Sequence, residues 1–160
     1  MGQVTAKMLV SASVEAVWNC LNDIDNTPRW VVGLERAEWV TKPPIAVGSI
    51  YIDYNRLGPF PQVTPWHIRA FQPMSHMIHE SESALLPSRM TINIKSVPFG
   101  TEVEMIVEYR FLPKLGVISR VFESWVMNRA LPQVLKQNLL QMEAYLQQQD
   151  ARTHPIGQPA

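Results

Sequence analysis

Turn-forming residues recur between positions 34 and 112, at Pro43-Pro44, Gly58-Pro59, Pro73, Pro87 and Pro98 to Gly100. They leave runs of about ten residues that read as strands. Connections this short have no room for the helical crossovers that parallel strands need, so the spacing predicts an antiparallel meander and excludes a doubly wound α/β architecture. The last run alternates most clearly. Val103, Met105, Val107, Tyr109 and Phe111 fall on one face, and Glu102, Glu104, Glu108 and Arg110 on the other, with Ile106 as the exception. In the run before it, Met90, Ile92 and Ile94 alternate with Arg89, Thr91, Asn93 and Lys95. Such a sheet has one dry face, and that face needs a cover.

The cover follows the strands. Val121, Phe122, Trp125, Leu135, Leu139, Met142 and Leu146 recur at helical spacings and predict an amphipathic helix over 118–146. Its length of roughly 43 Å would cross a small sheet. Pro132 interrupts the pattern and predicts a kink near Arg129 or two helices meeting there. At the other end of the chain, Ser13 is placed to cap a helix carrying Val14, Val17, Trp18 and Leu21 on one face, with Glu15 in its first turn. Asp23, Asp25 and Asn26 break that helix, and Pro28 predicts a second short helix beginning there with Trp30 inside it. With a strand at the N-terminus, the order is β-α-α-β-β-β-β-β-β-α, an α+β arrangement.

The 160 residues, 46% apolar, suffice for one domain, expected over 1–150, and the Pro- and Gly-containing stretch 151–160 is expected to be a disordered tail. Fourteen Lys and Arg balance fourteen Asp and Glu without a run of either sign, so nucleic acid is not an expected partner. The apolar runs fall well short of the roughly 18 residues that would suggest a membrane span, and no secretory leader is evident, so a cytoplasmic location is expected. Cys20, the lone cysteine, stands among core positions of the first helix and reads as an inert packed thiol. His67, His76 and His79 lack the companion spacing of a metal site, and the serines lack a nucleophile-elbow context. No metal and no cofactor are expected.

Several short motifs carry a resemblance. Ser13-x-Glu15-x-Val17-Trp18 and Asp23-x-x-Asn26-x-Pro28-x-Trp30 follow the first strand, Gly48 opens the third, and KQNLLQMEAYL closes the domain. In this order they resemble the START-like, Bet v 1-like (SRPBCC) superfamily, in particular its polyketide cyclase/dehydrase and lipid-transport family, over about residues 3 to 148. The resemblance implies a helix-grip fold: a curved seven-stranded antiparallel sheet wrapped around a long C-terminal helix and enclosing a mostly apolar cavity. It also implies a register for the third strand, with Tyr51, Asp53 and Asn55 facing the cavity and Ile50, Ile52 and Tyr54 facing out. For the fifth strand the residues themselves speak: Glu80 and Glu82 prefer water, which turns Met77, His79, Ser81 and Ser83 inward.

Those registers yield the candidate site. The expected ligand-binding residues are Trp30, Tyr51, Asn55, Trp66, Met77, Met90, Ile92, Met105, Tyr109, Phe122 and Trp125, and the candidate proton-transfer pair is Asp53 with His79. Large aromatics and flexible methionines are ordinary core, but under a helix grip the core lining is also the cavity wall. Three functions follow as expectations. The first is binding of a small apolar or aromatic ligand, such as a lipid, quinone or polyketide-like molecule, between sheet and C-terminal helix. The second is a cofactor-free cyclase or dehydratase using Asp53 and His79. The third is a partner-binding module of the coenzyme Q-binding or ribosome-associated type, or a homodimer, using outward Ile50, Ile52 and Tyr54.

Overall fold

The computed structural model describes residues 2–57, 60–83, 86–110 and 129–153. Seven strands form one antiparallel sheet: β1 (Gly2–Val10), β2 (Leu34–Trp39), β3 (Ile50–Leu57), β4 (Phe60–Gln72), β5 (His76–Ser81), β6 (Ser88–Val97) and β7 (Gly100–Tyr109). Their spatial order, β1-β7-β6-β5-β4-β3-β2, is a continuous meander from β2 to β7 with the N-terminal strand added beside the last. The sheet carries helix α1 (Val14–Asn22), a 3-10 turn (Ile24–Arg29) and the C-terminal helix α2 (Leu131–Thr153). This is the expected α+β helix-grip fold.

The alternation read in β6 and β7 becomes cross-strand pairing. Met90, Ile92 and Ile94 lie opposite Val107, Met105 and Val103, so their side chains share the covered face. The larger core forms there: Met77, Ile92, Val103 and Met105 pack beneath Trp18 and Leu21 of α1 and Leu135, Leu139 and Met142 of α2. A smaller cluster lies at the other end of the sheet, where Leu34, Ala37, Tyr51 and Ile68 pack with Ile24 of the 3-10 turn. Cys20 is buried in the larger core, and burial pushes its thiol up to about 12, so it stays protonated.

Local chemistry explains the helix boundaries. Ser13 Oγ accepts the Ala16 N–H at 3.2 Å and caps α1. Asp23 then serves two elements at once. Its N–H closes α1 on the Asn19 and Cys20 carbonyls, its C=O accepts the Asn26 N–H at 3.1 Å, and its carboxylate accepts the Asn26 side-chain amide at 2.8 Å. The short helix therefore starts at Ile24, four residues earlier than Pro28 suggested, and Trp30 caps its end instead of lying inside it. The competing signal was the Asp23–Asn26 pair, which supplies the start that a proline at the first helical position would otherwise mark.

Pro132 stands second in α2, directly after residues 129–130. Residues 129–130, at the position of the expected kink, have π-helical geometry. The portion of the expected helix over 118–128 lies outside the described residues. At its far end α2 continues to Thr153, beyond the expected domain end at 150. Asn138, buried on α2, accepts the Val32 N–H at 2.9 Å and ties the helix to the loop after the 3-10 turn. Glu143 accepts the Ser11 N–H at 2.8 Å and ties it to the end of β1. Gly48, with φ of +91° and nothing within reach of a Cβ, is needed for its backbone angle and not for space.

Candidate functional site

The site is built where β2 to β5 run side by side. Registers place Trp39 opposite Tyr51, Tyr51 opposite Trp66, and Trp66 opposite Ser81, so one row of the covered face is largely aromatic. Trp39 meets the Tyr51 ring edge-on at 5.5 Å between centroids, and Trp66 stacks on its other side at 6.2 Å and 10°. One row to one side, Asp53 lies between Ala37 and Thr64, and one row to the other side Ile68 stands opposite His79. Asp53 and His79 therefore point to the same face of the sheet. Tyr51, with its side chain between them in register, is the group that His79 contacts directly.

Tyr51 Oη and His79 Nδ1 are 2.8 Å apart in a buried hydrogen bond, with the rings edge-on at 5.5 Å. His79 is 3% exposed, and that burial lowers its pKa to about 4, so the imidazole is neutral at physiological pH. One nitrogen of a neutral imidazole donates and the other accepts. Either tautomer leaves Nε2 as a polar atom without a partner among the described residues. The Asp53 carboxyl is in a similar position: Oδ1 is buried and unmatched, and desolvation raises its pKa to about 7. The Trp66 indole N–H faces the carboxyl and pulls the pKa the other way, yet completes no hydrogen bond. Tyr51 is held well above its ordinary pKa, first by burial and second by the charge of Asp53, so its hydroxyl remains a donor.

Three buried atoms on one sheet face without a partner among the described residues, His79 Nε2, Asp53 Oδ1 and Trp66 Nε1, are unusual because buried polar groups nearly always find partners. Together they offer an acid near its titration midpoint at neutral pH, a neutral imidazole and an indole N–H, set in an aromatic wall. Such a set can hold a polar substituent of an otherwise apolar molecule, or shuttle a proton to one.

The remaining candidates divide. Asn55 is half-buried, pairs with Leu34 and continues the Tyr51–Asp53 face. Met77, Ile92 and Met105 are buried, with Met90 packed beside them, but they belong to the larger core under α1 and α2, as does Trp30, whose indole N–H is also unmatched. Tyr109 is buried near the end of β7. Phe122 and Trp125 lie outside the described residues. Ser81 and Ser83 hold turns: their hydroxyls accept the Ser88 N–H at 2.9 Å and the Leu86 N–H at 3.1 Å. His67 and His76 take separate contacts on the outer face, with Glu82 at 3.2 Å and Asn93 at 2.6 Å. Among the described residues no group of three His, Cys, Asp or Glu is arranged to hold a metal ion.

Trp39 is the site residue that the sequence reading missed. Strand β2 is six residues long and its register shifts between Leu34 and Arg36, which breaks the alternation that would have flagged it. The outward Ile50, Ile52 and Tyr54 are half-buried, and Tyr54 donates to Glu38 at 2.7 Å beneath the Arg36 guanidinium, 4.0 Å from its ring centroid. That polar cover lies over Tyr54.

A sheet wrapped against one helix, with an aromatic and partly polar inner face, defines a helix-grip protein. Residues 1–147 match the model of the polyketide cyclase/dehydrase and lipid transport family, and the chain belongs to that family. No curated protein matches it by sequence. Solved structures share the fold at low identity. The di-domain ARO/CYC StfQ from the steffimycin biosynthetic pathway superimposes with a TM-score of 0.74 at 13% identity over 93% of this chain and 51% of that one. The chain thus spans about half the length of that protein. The Zhui aromatase/cyclase from Streptomyces sp. R1128 gives 0.72 at 11% identity over 98% of both chains. A protein from Thermus thermophilus gives 0.77 at 12% identity over 92% of this chain and 98% of that one.

Proposed function

We propose that the protein binds a small apolar or aromatic ligand bearing a polar substituent, held between the β2–β5 face of the sheet and the C-terminal helix. The observation that carries this reading is the set of unmatched buried atoms, His79 Nε2, Asp53 Oδ1 and Trp66 Nε1, beside the Trp39–Tyr51–Trp66 row. Leaving a buried polar atom unmatched costs about 1–3 kcal/mol, so a ligand oxygen or hydroxyl reaching these atoms recovers free energy that the empty protein forgoes. The family, which joins lipid transport with cyclase and dehydrase chemistry, supports the same reading. Native mass spectrometry of the purified protein, with titration of a naphthalene-sulfonate probe followed by tryptophan fluorescence, tests it. Saturable binding that weakens in Trp66→Ala is expected. No carried ligand and no probe binding would overturn it.

A second reading is favoured by one observation, an Asp53 pKa of about 7 on the same face as a neutral histidine, with Tyr51 between the two. In that reading the pair moves protons in a cyclisation or dehydration, with Tyr51 donating to a developing enolate oxygen. Asp53→Asn separates the two. It would leave ligand binding within a few fold and abolish turnover in an enzyme, whereas a carrier has no turnover to lose.

A further inference from the structure

On the surface seam between the 3-10 turn and α2 lies a groove of about 440 Å³, sharing no residue with the Tyr51–His79 face. It is lined by Arg29, Gln141, Tyr145, Gln148, Gln149 and Arg152. On α2 these residues follow helical spacing from 141 to 152 and form one stripe that faces the end of the 3-10 turn. Among the described residues no carboxylate lines the groove. The acids of α2 sit elsewhere: Glu143 is taken by the Ser11 N–H, and Asp150 lines the neighbouring groove against Ser11–Ser13 and Ala16. The helix thus sorts its charges, acid toward the β1–α1 junction and base toward the 3-10 turn.

The two arginines also differ from those within the strands. Arg36, Arg56, Arg69 and Arg89, all on the sheet, are each paired with a glutamate. Arg29 and Arg152, like Arg110 and Arg129, have no ion pair among the described residues, and these two share a groove lined by no carboxylate. Arg152 is in the last turn of α2, where a cation complements the helix dipole, but that role requires neither Arg29 nor the amide-lined stripe between them. Gln149 donates to the Tyr145 hydroxyl oxygen at 2.9 Å, which leaves the tyrosine O–H proton to be given to something else. Two guanidinium forks, primary amides and a hydroxyl supply more donors than the two oxygens of a carboxylate can take, and they suit a tetrahedral oxyanion.

We infer that this groove is a binding site for a phosphate-monoester group, held between Arg29 and Arg152 with Tyr145 and the glutamines completing its shell. A soluble phosphorylated metabolite and a phosphate-bearing lipid headgroup present the same chemistry, and the test has an arm for each. Inorganic phosphate is titrated into the full chain and followed by backbone amide NMR, with chloride and acetate at matched ionic strength as controls. The second arm measures co-sedimentation with phosphatidylcholine vesicles with and without phosphatidic acid. Saturable shifts confined to 27–29 and 141–152 with phosphate alone, or phosphatidic-acid-dependent sedimentation, are expected. Either response should weaken at least about tenfold in Arg29→Gln and in Arg152→Gln, and be unchanged in Lys95→Gln, which removes the same charge from the outer face. Both arginines are exposed, so a retained, dispersed spectrum separates lost binding from lost fold. Shifts that chloride reproduces, binding indifferent to both arginine substitutions, or no response in either arm would overturn the assignment.

Discussion

The Tyr51–His79 hydrogen bond is the one contact that satisfies a buried imidazole nitrogen at the site, so Tyr51→Phe leaves both ring nitrogens unmatched. The expected loss is about 1–3 kcal/mol of stability, read by urea denaturation. Asp53 and His79 give a sharper signature because they pull the pH dependence in opposite directions. The folded pKa of Asp53, about 7, lies above its ordinary 3.8, so its contribution to stability is present in acid and lost as pH rises through 7. That of His79, about 4, lies below 6.5, so its contribution is present above pH 6.5 and lost as pH falls through 4. Relative to the parent, Asp53→Asn should therefore gain about 4 kcal/mol between pH 4 and 7, and His79→Gln should lose about 3 kcal/mol between pH 4 and 6.5. Denaturation series at stepped pH check both, and two difference curves of the same sign would contradict the assignment. The sequence made these residues visible but not their pairing. Strand β3 has apolar side chains on both faces, Ile50 and Ile52 on one and Tyr51 on the other, so alternation alone left its register open and only the resemblance turned Tyr51 and Asp53 inward.

At the scale of elements, strands were legible because prolines and glycines punctuate them and because β6 and β7 alternate cleanly. Helix α1 was legible in kind and in bounds, from Ser13 to Asp23, but the 3-10 turn only in kind, since the Asp23–Asn26 interaction outweighed the proline signal. Two substitutions test how the elements are joined. Asn138→Ala removes the partner of the Val32 N–H at the α2 seam and should cost about 1–2 kcal/mol, seen in thermal unfolding. Gly48→Ala forces a side chain onto a backbone at φ +91° and should cost about 1–2 kcal/mol, although the added methyl group meets nothing. Trp39 shows the limit of pattern reading at this scale. Its place in the aromatic row follows from the β2–β3 register, and a strand of six residues with a shifted register cannot announce which way its last side chain points.

Among the described residues, packing across the sheet is unequal. The core at the β1–β7–β6 end is covered by both α1 and α2, whereas the β2–β4 end rests on a smaller cluster closed by the 3-10 turn, and β2 is an edge strand. The candidate site occupies that lighter end. Amides of β2 and β3 should therefore exchange with solvent faster than those of β6 and β7, and ligand binding should slow the first group selectively; uniform protection across the sheet would contradict this picture. The junction at Asp23 bears on the same asymmetry. One residue ends α1 with its N–H and begins the 3-10 turn with its carbonyl and carboxylate, so no slack peptide separates them. A single residue inserted at this bend should therefore unmake the end of one helix and the start of the next together, read as one drop in thermal stability larger than that of an insertion after Val97.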